Sequence, residues 1–430
     1  MRVYFSGIGG VGIGPLAEIA RDAGYDVVGS DLAQSSLTTQ LQSQNVTVYI
    51  GQDGSQIAHA HEQTAIDWFV HTSALAADHP ELLYARSHNI RISKRDEFLA
   101  SFIEDKDLNL VAIAGTHGKT TTTGLMMWAL KQLSEPISYS VGTSVGWGPS
   151  GQYDPHSRYF VYECDEYDRN FLHFSPHVSI ITALDYDHPD TYPTEDDYRS
   201  AFVQFLEQSK RSVIWEKDLR YLRTDPQADI EAYDEHMDLT HITLAGDHVR
   251  HNAYLVQRVL EKVIAESKAK SQDSREITKQ EIIDAINSFP GTGRRFEKLA
   301  ANLYSDYGHH PAEIAATLQM ASELSDHVVL VYQPHQNIRQ HEIQDQYTDD
   351  VFDNAQEIYW LPTYLSREDP GLETLTPEQL SAHIAEGKVR PADMNDQLWD
   401  DIQRHRDAGH LVLVMGAGST DNWVRSELTD

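Results

Sequence analysis

The stretch LVAIAGTHGKT, residues 110–120, places an apolar run directly before a glycine-rich loop that ends in Gly-Lys-Thr. A helical pattern of apolar residues follows, so the sequence predicts a strand, a phosphate-binding loop and a helix. In such a loop the backbone N–H groups cradle phosphates, and Lys119, predicted to be an exposed loop residue, neutralises the outer ones. The Thr120 hydroxyl can bind Mg²⁺. The standard eight-residue pattern fails at one position, because Ile113 stands where it requires glycine.

A second glycine loop, GIGGVG at residues 7–12, also follows a predicted strand and precedes a predicted helix. Gly7, Gly9 and Gly12 match the dinucleotide-binding fingerprint, and Asp31 ends the next predicted strand. Glycines let the backbone approach a diphosphate, and the acid can bind a ribose hydroxyl. Taken alone, the loop predicts an NAD-dependent enzyme, but it does not identify the nucleotide diphosphate. A glycine turn that only packs the strand on the helix is the alternative.

Two phosphate-binding loops in one chain require two phosphorylated ligands. A simple dehydrogenase does not explain the loop at 115–120, and a simple ATPase does not explain the loop at 7–12. Two other classes stay open on the residues alone. One is an NAD-dependent oxidoreductase, which would release no phosphate from a nucleotide. The other is a nucleotide-sensing protein, which would bind ATP without turnover.

The composition excludes several classes of protein. The chain has 430 residues and a formal net charge of −32, so we expect it neither to bind nucleic acid nor to lie on an anionic membrane. The single cysteine, Cys164, excludes an intrachain disulfide and a cysteine-rich metal site. No apolar run reaches ~20 residues, and the N-terminal run is too short for a signal peptide. We therefore expect a cytoplasmic protein.

The alternation of apolar β-branched runs with helical patterns predicts an α/β fold with βαβ units and parallel sheets. The predicted strands are Val3–Ser6, Asp26–Gly29, Trp68–Thr72, Leu110–Ala114, Tyr159–Glu163, Val178–Thr182, Val213–Trp215, His327–Tyr332, Glu357–Leu361 and Leu411–Met415. A polar stretch at 104–109 and a Gly-Thr-Gly turn at 291–293 indicate two boundaries. We expect three α/β domains, at residues 1–107, 108–292 and 293–430.

Polar residues at the predicted strand ends are the remaining candidates for chemistry. Glu163 is the first polar residue after an apolar strand, and His188 follows the next one, so both could hold a metal ion at the ligand-binding edge of a sheet. Arg295 and Arg339 are candidate anion binders. For each arginine the alternative is a surface ion pair, as between Arg339 and Glu342.

The order of several motifs resembles that of the Mur ligases, the ATP-dependent amide ligases of peptidoglycan synthesis. These motifs are GTHGKTTTT at 115–123, ECDEYD at 163–168, DYDHPDTY at 185–192, RRFE at 294–297 and DYGHHP at 306–311. Three more are most similar to the members that join L-alanine to UDP-N-acetylmuramate: GIGGVG with GSD at 29–31, SALAADHPE at 73–81 and QPH at 333–335. The resemblance runs through VLVMGAGS at 412–419, near the end of the chain.

The resemblance implies a three-domain architecture that agrees with the boundaries above. A Rossmann-like domain would bind the UDP-sugar, a central P-loop domain would bind ATP, and a Rossmann-like C-terminal domain would deliver the amino acid. Each of the two glycine loops then has its own ligand. The resemblance also implies ATP and Mg²⁺ as cofactors, with UDP-N-acetylmuramate and L-alanine as substrates.

The resemblance assigns roles residue by residue. Lys119, Arg295 and His188 would be catalytic, and Thr120, Glu163 and His188 would hold the metal. The residues implied for ATP are Gly115, Thr116, His117, Gly118, Lys119, Thr120, Thr121, Arg295, Asp306 and His309. Those implied for the UDP-sugar are Gly7, Gly9, Gly10, Gly12, Asp31 and Ser73, and those for the amino acid are Tyr307, His335 and Arg339.

The chain departs from the family pattern at three positions. Ala183 stands where the family usually has Asn, and Leu255 ends a stretch that resembles the family's nucleotide-contacting HNxxN, so we expect different adenine contacts. Gln336 stands where many alanine-adding members have a second Arg. The motif ECDEYD is also similar to that of the members that attach a tripeptide to the same sugar. DYGHHP favours the alanine-adding members, and the tripeptide-adding members are the second interpretation.

Overall fold

The computed structural model describes residues 1–72, 75–143, 145–223, 226–270, 275–366 and 368–429. These residues form two compact units. The first contains residues 1–242 and 252–289, and the second contains residues 243–251 and 290–430. No helix in the described part of the chain is both long enough and apolar enough to cross a membrane.

The first sheet of the first unit is parallel throughout, in the order β3-β2-β1-β4-β5. Its strands are β1 Arg2–Ser6, β2 Asp26–Asp31, β3 Thr47–Ile50, β4 Trp68–His71 and β5 Arg91–Lys94. The helices that connect and follow them are α1 Gly14–Asp22, α2 Ser36–Ser43, α3 Ser55–Gln63, α4 Pro80–Ser87 and α5 Arg95–Asp105. Because β2 and β4 flank β1 on opposite sides, the strand order reverses at the end of β1, where the loop at 7–12 begins.

The second sheet of the first unit has the order β12-β11-β10-β6-β9-β7-β8, and only its β7–β8 pair is antiparallel. Its strands are β6 Asn109–Ala114, β7 Ser138–Ser140, β8 Gly151–Gln152, β9 Tyr159–Glu163, β10 Val178–Ile181, β11 Ser212–Trp215 and β12 Ile230–Tyr233. Its helices are α6 Lys119–Gln132, α7 Glu195–Gln208, α8 Glu216–Tyr221, α9 Asp247–Lys270 and α10 Lys279–Asn287, with a 3₁₀ segment at Tyr167–His173. Helix α9 starts in the second unit and continues in the first.

The third sheet lies in the second unit and has the order β13-β14-β18-β15-β16-β17, with an antiparallel β13–β14 pair. Its strands are β13 Glu297–Ala300, β14 Leu303–Asp306, β15 Val328–Tyr332, β16 Glu357–Trp360, β17 Val389–Pro391 and β18 Leu411–Met415. The helices are α11 Pro311–Ser322, α12 Asn337–Ile343, α13 Asp349–Phe352, α14 Pro377–Leu380, α15 Asp396–Asp407 and α16 Thr420–Glu427, with a 3₁₀ segment at Gln344–Gln346. The buried apolar side chains of its strands belong to two separate clusters.

The predicted α/β class is confirmed, and each of the ten predicted strands is present with small shifts at its ends. The central parallel strands are buried on both faces, which is why they are nearly continuous apolar runs: in β6 the five residues Leu110–Ala114 are all apolar and buried. Within the described residues, eight further strands are present that were not predicted. Strand β8 has two residues, and β7 and β17 have three each.

A buried carboxylate joins the first two sheets. The side chain of Glu18, on α1, is fully buried. One of its oxygens accepts the N–H of Gly151 on β8 at 3.0 Å, and the other accepts the side-chain amide of Gln40 at 2.7 Å. Burial raises the pKa of Glu18 to about 7. The helix that follows the loop at 7–12 is therefore fixed to the second sheet through a titratable group.

Candidate functional site

The loop at 115–120 turns tightly between β6 and α6. Gly115 has φ +131° and Gly118 has φ +82°, both in the region that favours glycine. A Cβ at Gly115 would lie 2.8 Å from the carbonyl oxygen of Ala183, so the loop packs closely on the segment that follows β10. The N–H of Thr116 donates to that same carbonyl at 2.8 Å. The structure therefore shows a tight glycine-rich turn between a strand and a helix, and its contact with phosphate stays a prediction.

Lys119, the first residue of α6, lies beneath this loop. Its Nζ donates to the carbonyl oxygens of Gly115 and Thr116 at 2.6 and 3.2 Å, and to both carboxylate oxygens of Glu166 at 2.7 and 2.9 Å. Burial would lower the pKa of Lys119, but the Glu166 carboxylate outweighs it and raises the pKa, so the ammonium is charged at neutral pH. The prediction of an exposed lysine is wrong, because a carboxylate that the sequence analysis did not single out encloses it.

Glu166 is the main functional candidate that the sequence analysis missed. Its side chain is only 1% exposed, although it belongs to the acidic run ECDEYD, in which most residues read as solvated loop charges. Two further contacts fix its position. The Tyr192 hydroxyl donates to its backbone carbonyl at 2.6 Å, and the His188 Nε2 lies 3.7 Å from its Oε1. Nothing in the order of charges along the chain marks this acid; its partner, Lys119, is 47 residues away.

Thr120 and Glu163 lie together at the same edge of the sheet. The Thr120 hydroxyl donates to Glu163 Oε1 at 2.7 Å, and the Gly142 N–H donates to Glu163 Oε2 at 3.1 Å. A hydroxyl and a carboxylate are oxygen donors of the kind Mg²⁺ prefers, and Mg²⁺ completes its shell with phosphate oxygens and water. These two residues therefore fit the ion. His188, predicted as a third ligand, has its Nε2 3.7 Å from Glu166 Oε1, and its contact with a metal stays a prediction. Within the described residues, no group of three or more His, Cys, Asp or Glu could hold a metal.

The loop at 7–12 is held to β2 by its own backbone. The N–H groups of Gly7 and Ile8 donate to the Ser30 carbonyl at 2.8 and 2.9 Å. Asp31, predicted to bind a ribose, accepts the N–H of Gly9 on Oδ2 at 2.8 Å and that of Ala33 on Oδ1 at 3.3 Å. In this structure Asp31 shapes the loop, and a ribose contact stays a prediction.

A second buried carboxylate supports this loop from below. Glu81 accepts the Tyr4 hydroxyl at 2.7 Å and the hydroxyl of Ser6, the residue before Gly7, at 2.6 Å. Gln52 donates to Ser6 Oγ at 3.1 Å. Glu81 is the last residue of the motif SALAADHPE, so this motif supplies the carboxylate that holds the end of β1 just before the loop at 7–12. Ser73, its first residue and a predicted sugar contact, lies outside the described residues.

In the second unit, the predicted nucleotide contacts gather where β14 ends. The guanidinium groups of Arg294 and Arg295 lie 4.7 and 5.0 Å from the ring centre of Tyr307. Asp306 is buried, and its oxygens accept the N–H groups of Gly308 and Phe296, both at 2.7 Å. Burial raises the pKa of Asp306 to about 6. This carboxylate holds the turn that presents Tyr307.

The predicted amino-acid contacts adjoin this turn. Arg339, on α12, contacts Nε2 of His309 through a guanidinium nitrogen. The ring of His309 makes edge contacts with Tyr307 at 5.7 Å and with His335 at 5.8 Å between ring centres. His335 stacks on Tyr364. Burial lowers the pKa of His309 to about 4, so this histidine is neutral at pH 7 and does not compete as a cation with Arg339.

The structure shows the contacts of the three residues that depart from the family pattern, Ala183, Leu255 and Gln336. Ala183 uses its backbone carbonyl, which accepts the Thr116 N–H, and this contact is independent of its side chain. Leu255 is fully buried in α9. The side-chain nitrogen of Asn252 would lie 2.5 Å from a Cβ at Gly118, so this amide packs closely on the loop at 115–120. Gln336 precedes α12 with φ +61°, and its N–H donates to the Tyr364 carbonyl.

Three family models match successive parts of the chain. They are described as the Mur ligase family catalytic domain, at residues 2–107, the Mur ligase middle domain, at 113–237, and the Mur ligase glutamate ligase domain, at 294–418. The chain is also 30% identical to a UDP-N-acetylmuramate–L-alanine ligase of Clostridium botulinum (strain Okra / Type B1). That match covers 97% of this chain and 95% of the relative.

Two solved structures have the same fold over the whole chain. A UDP-N-acetylmuramate–alanine ligase from Thermotoga maritima matches with a TM-score of 0.75 and 22% identity, covering 100% of this chain and 99% of the other. A murein peptide ligase from Psychrobacter arcticus matches with a TM-score of 0.65, also at 22% identity, covering 100% and 98%. At this identity the likeness concerns the fold.

Proposed function

Because this chain belongs to the Mur ligase family, as its sequence motifs predict, we propose that it joins L-alanine to the lactyl carboxylate of UDP-N-acetylmuramate with consumption of ATP. The observation that carries the proposal is the presence of two glycine loops at the ends of the parallel strands β1 and β6, each followed by a helix. Two phosphorylated substrates account for both. We also propose a cytoplasmic location, where ATP is available.

The reaction needs ATP because a carboxylate oxygen is a poor leaving group. Transfer of the γ-phosphoryl group to the lactyl carboxylate gives an acyl phosphate and ADP. The amine of L-alanine then attacks the acyl carbon, a tetrahedral intermediate forms, and phosphate leaves as the amide bond is made. The amine loses one proton in the process. Each step moves negative charge onto oxygen atoms, so fixed positive charge stabilises the transition states.

Within the first unit, Lys119 would supply that charge at the outer phosphates of ATP. Its contacts with two loop carbonyls hold the ammonium in place before a nucleotide arrives, which is the arrangement that electrostatic stabilisation requires. Thr120 and Glu163 would hold Mg²⁺, which when bound neutralises phosphate charge. We propose His188 as a positioning residue for Glu166 in addition to its implied metal role, because the two side chains are neighbours.

The remaining role assignments belong to the same proposal. The loop at 7–12 would hold the UDP diphosphate, and residues 1–107, 108–292 and 293–430 would be the sugar, ATP and amino-acid domains. In the second unit, Arg295, Asp306 and His309 would contact the nucleotide, with Asp306 acting through the turn that it holds.

The decisive experiment measures phosphate release from ATP in the presence of UDP-N-acetylmuramate and a panel of amino acids and the murein tripeptide. We expect release with L-alanine that depends on both the sugar nucleotide and Mg²⁺. Release with the tripeptide but not with alanine would identify a tripeptide-adding member of the family. Absence of release with every acceptor, together with tight NAD⁺ binding, would show that the loop at 7–12 serves an oxidoreductase.

We predict that Arg339→Lys raises the KM for L-alanine by about 10-fold or more, with little change in the KM for ATP. A guanidinium can hold the α-carboxylate with two parallel hydrogen bonds, whereas an ammonium keeps the charge and loses this geometry. Steady-state kinetics with each substrate varied in turn give both constants. An exposed pair with Glu342 contributes at most ~1 kcal/mol to stability and leaves the kinetics unchanged, so an unaltered KM for alanine would support that interpretation.

A further inference from the structure

Arg95, the first residue of α5, lies directly beside the loop at 7–12. A Cβ at Gly12 would be 2.5 Å from the Arg95 Nη1, so the guanidinium occupies the space that a side chain would fill. In this chain the third glycine of the fingerprint therefore makes room for a cation. No motif of the sequence analysis includes Arg95, because it stands 83 positions after Gly12 and comes next to the loop only through the fold.

Two carboxylates contact the other two nitrogens of this guanidinium, and they differ in how exposed they are to solvent. Asp96 is 2% exposed, accepts from Arg95 Nε at 3.2 Å, and also accepts the Tyr162 hydroxyl at 2.9 Å. This contact is an anchor, because the carboxylate is enclosed and its other oxygen is engaged. Asp165 is 38% exposed and lies 3.6 Å from Arg95 Nη2, which is an ion pair beyond hydrogen-bond geometry. The contact with Asp165 is therefore the looser of the two.

A cation anchored at one nitrogen, facing a phosphate-binding loop and loosely paired to an exposed acid, is suited to exchange that acid for a ligand anion. A diphosphate carries more charge than one carboxylate and offers several acceptor oxygens to a guanidinium. The acid it would displace belongs to ECDEYD, two residues after Glu163 and next to Glu166. Arg95 thus connects the sugar-nucleotide loop to the acidic segment beside the ATP loop.

We propose that Arg95 binds the diphosphate of the sugar nucleotide held by the loop at 7–12, and that Asp165 competes with this diphosphate for the guanidinium. The inference rests on the proposed function, because it takes the ligand of that loop to be a nucleoside diphosphate. It adds a binding residue and a competing acid that the motifs do not contain. Occupation of the first loop then releases Asp165 Oδ2 from Arg95, while Oδ1 still accepts the Tyr167 N–H at 3.1 Å. Asp165 lies in the segment that carries Glu163 and Glu166.

A double-mutant cycle on Arg95→Gln and Asp165→Asn tests the proposal, with the Kd of UDP-N-acetylmuramate measured by calorimetry without ATP at 0.15 M salt. We expect Arg95→Gln to weaken binding by about 10-fold or more, the scale of a lost charge-assisted hydrogen bond. Asp165→Asn should tighten binding by about 3-fold, and this gain should vanish in the Arg95→Gln background. A merely structural role of either residue would not tighten binding.

Lys94→Gln is the matched control, because Lys94 precedes Arg95 and pairs with Asp168 at 3.1 Å. It removes the same charge from the same segment and should leave the Kd within about 2-fold, since both partners of this pair are exposed and solvent and salt screen their charges. Arg95→Lys should retain part of the affinity, and ATP binding by every variant shows that the first unit is folded. An unchanged Kd in Arg95→Gln overturns the proposal, as does an equal gain from Asp165→Asn in both backgrounds.

Ligand binding by the unsubstituted parent protein distinguishes a failure of this inference from a failure of the proposed function. If it binds NAD⁺ in place of UDP-N-acetylmuramate, the proposed substrate is wrong, and the same cycle with NAD⁺ still tests Arg95 against a diphosphate. If the parent binds UDP-N-acetylmuramate and Arg95→Gln binds it equally well, only the inference fails. Binding of neither ligand contradicts both.

Discussion

Replacing Lys119 with alanine is expected to lower kcat by at least ~100-fold, the scale of losing one preorganised charge-stabilising group. The residue donates to two loop carbonyls and to Glu166, so its ammonium is fixed where phosphate charge would develop. The same variant should also lose stability. Removing the lysine leaves the Glu166 carboxylate buried without this partner, and breaking a buried pair costs about 3 kcal/mol or more. Phosphate-release kinetics and thermal unfolding measure the two effects.

The double variant Lys119→Ala with Glu166→Gln separates catalysis from folding. Neutralising Glu166 removes the buried charge, so we expect most of the stability to return while kcat stays low. Near-normal turnover in Lys119→Ala would contradict the role of the lysine. Recovery of turnover in the double variant would show that the defect of the single variant is a folding defect.

Replacing Gly9 with valine should abolish binding of UDP-N-acetylmuramate, a loss of at least ~100-fold in affinity, and leave ATP binding intact. A Cβ at Gly9 would lie 2.7 Å from the Thr38 methyl group and 2.9 Å from the oxygens of Asp31 and Ser35. These contacts are shorter than a packed Cβ allows, so the loop must move, and the backbone N–H groups move with it. At Gly12 a side chain would meet the Arg95 guanidinium instead, so Gly9→Val tests the loop separately from Arg95.

Calorimetric titration of Gly9→Val with each ligand is the measurement. Gly146→Ala is its control, because among the described residues, apart from its two chain neighbours, no atom lies within 4 Å of a Cβ at Gly146. Retained sugar-nucleotide binding in Gly9→Val would contradict the assignment of the loop. Loss of ATP binding alone would indicate that the two loops hold the opposite ligands.

The sequence was sufficient for the elements that have a strong local pattern. The buried parallel strands and the two glycine loops could be predicted because burial on both faces and positive φ angles select residue types directly. The antiparallel pairs β7–β8 and β13–β14 could not, since β7 and β8 have only three and two residues, and neither β13 (EKLA) nor β14 (LYSD) is a continuous apolar run. The same limit applied to side chains: Glu166 and Arg95 acquire their roles only from partners that folding brings near.

Two of the predicted site residues also have a structural use that their position in the sequence did not indicate. Asp31 and Asp306 are each the last residue of a strand, as a ligand-binding acid can be, yet each accepts two backbone N–H groups, one from the turn that follows it and one from another segment of the chain. A strand-end acid therefore has two uses, binding a ligand or shaping the loop that binds it, and the residue type is the same for both. For Lys119 the phosphate-binding role stays a prediction, whereas the predicted exposure is wrong, because the buried Glu166 carboxylate pairs with it.

The buried Glu18 makes folding of the first unit a proton-uptake reaction. Below pH 4.5 the carboxyl group is protonated in both states, so it imposes no charge-burial cost. As pH rises towards 7 the unfolded chain releases this proton while the folded chain retains it, and the free energy of unfolding falls by up to about 3 kcal/mol. Above pH 7 the loss is complete. The junction between α1 and β8 is thus held most firmly in mild acid, and a neutral solution weakens the attachment of the very helix that follows the loop at 7–12.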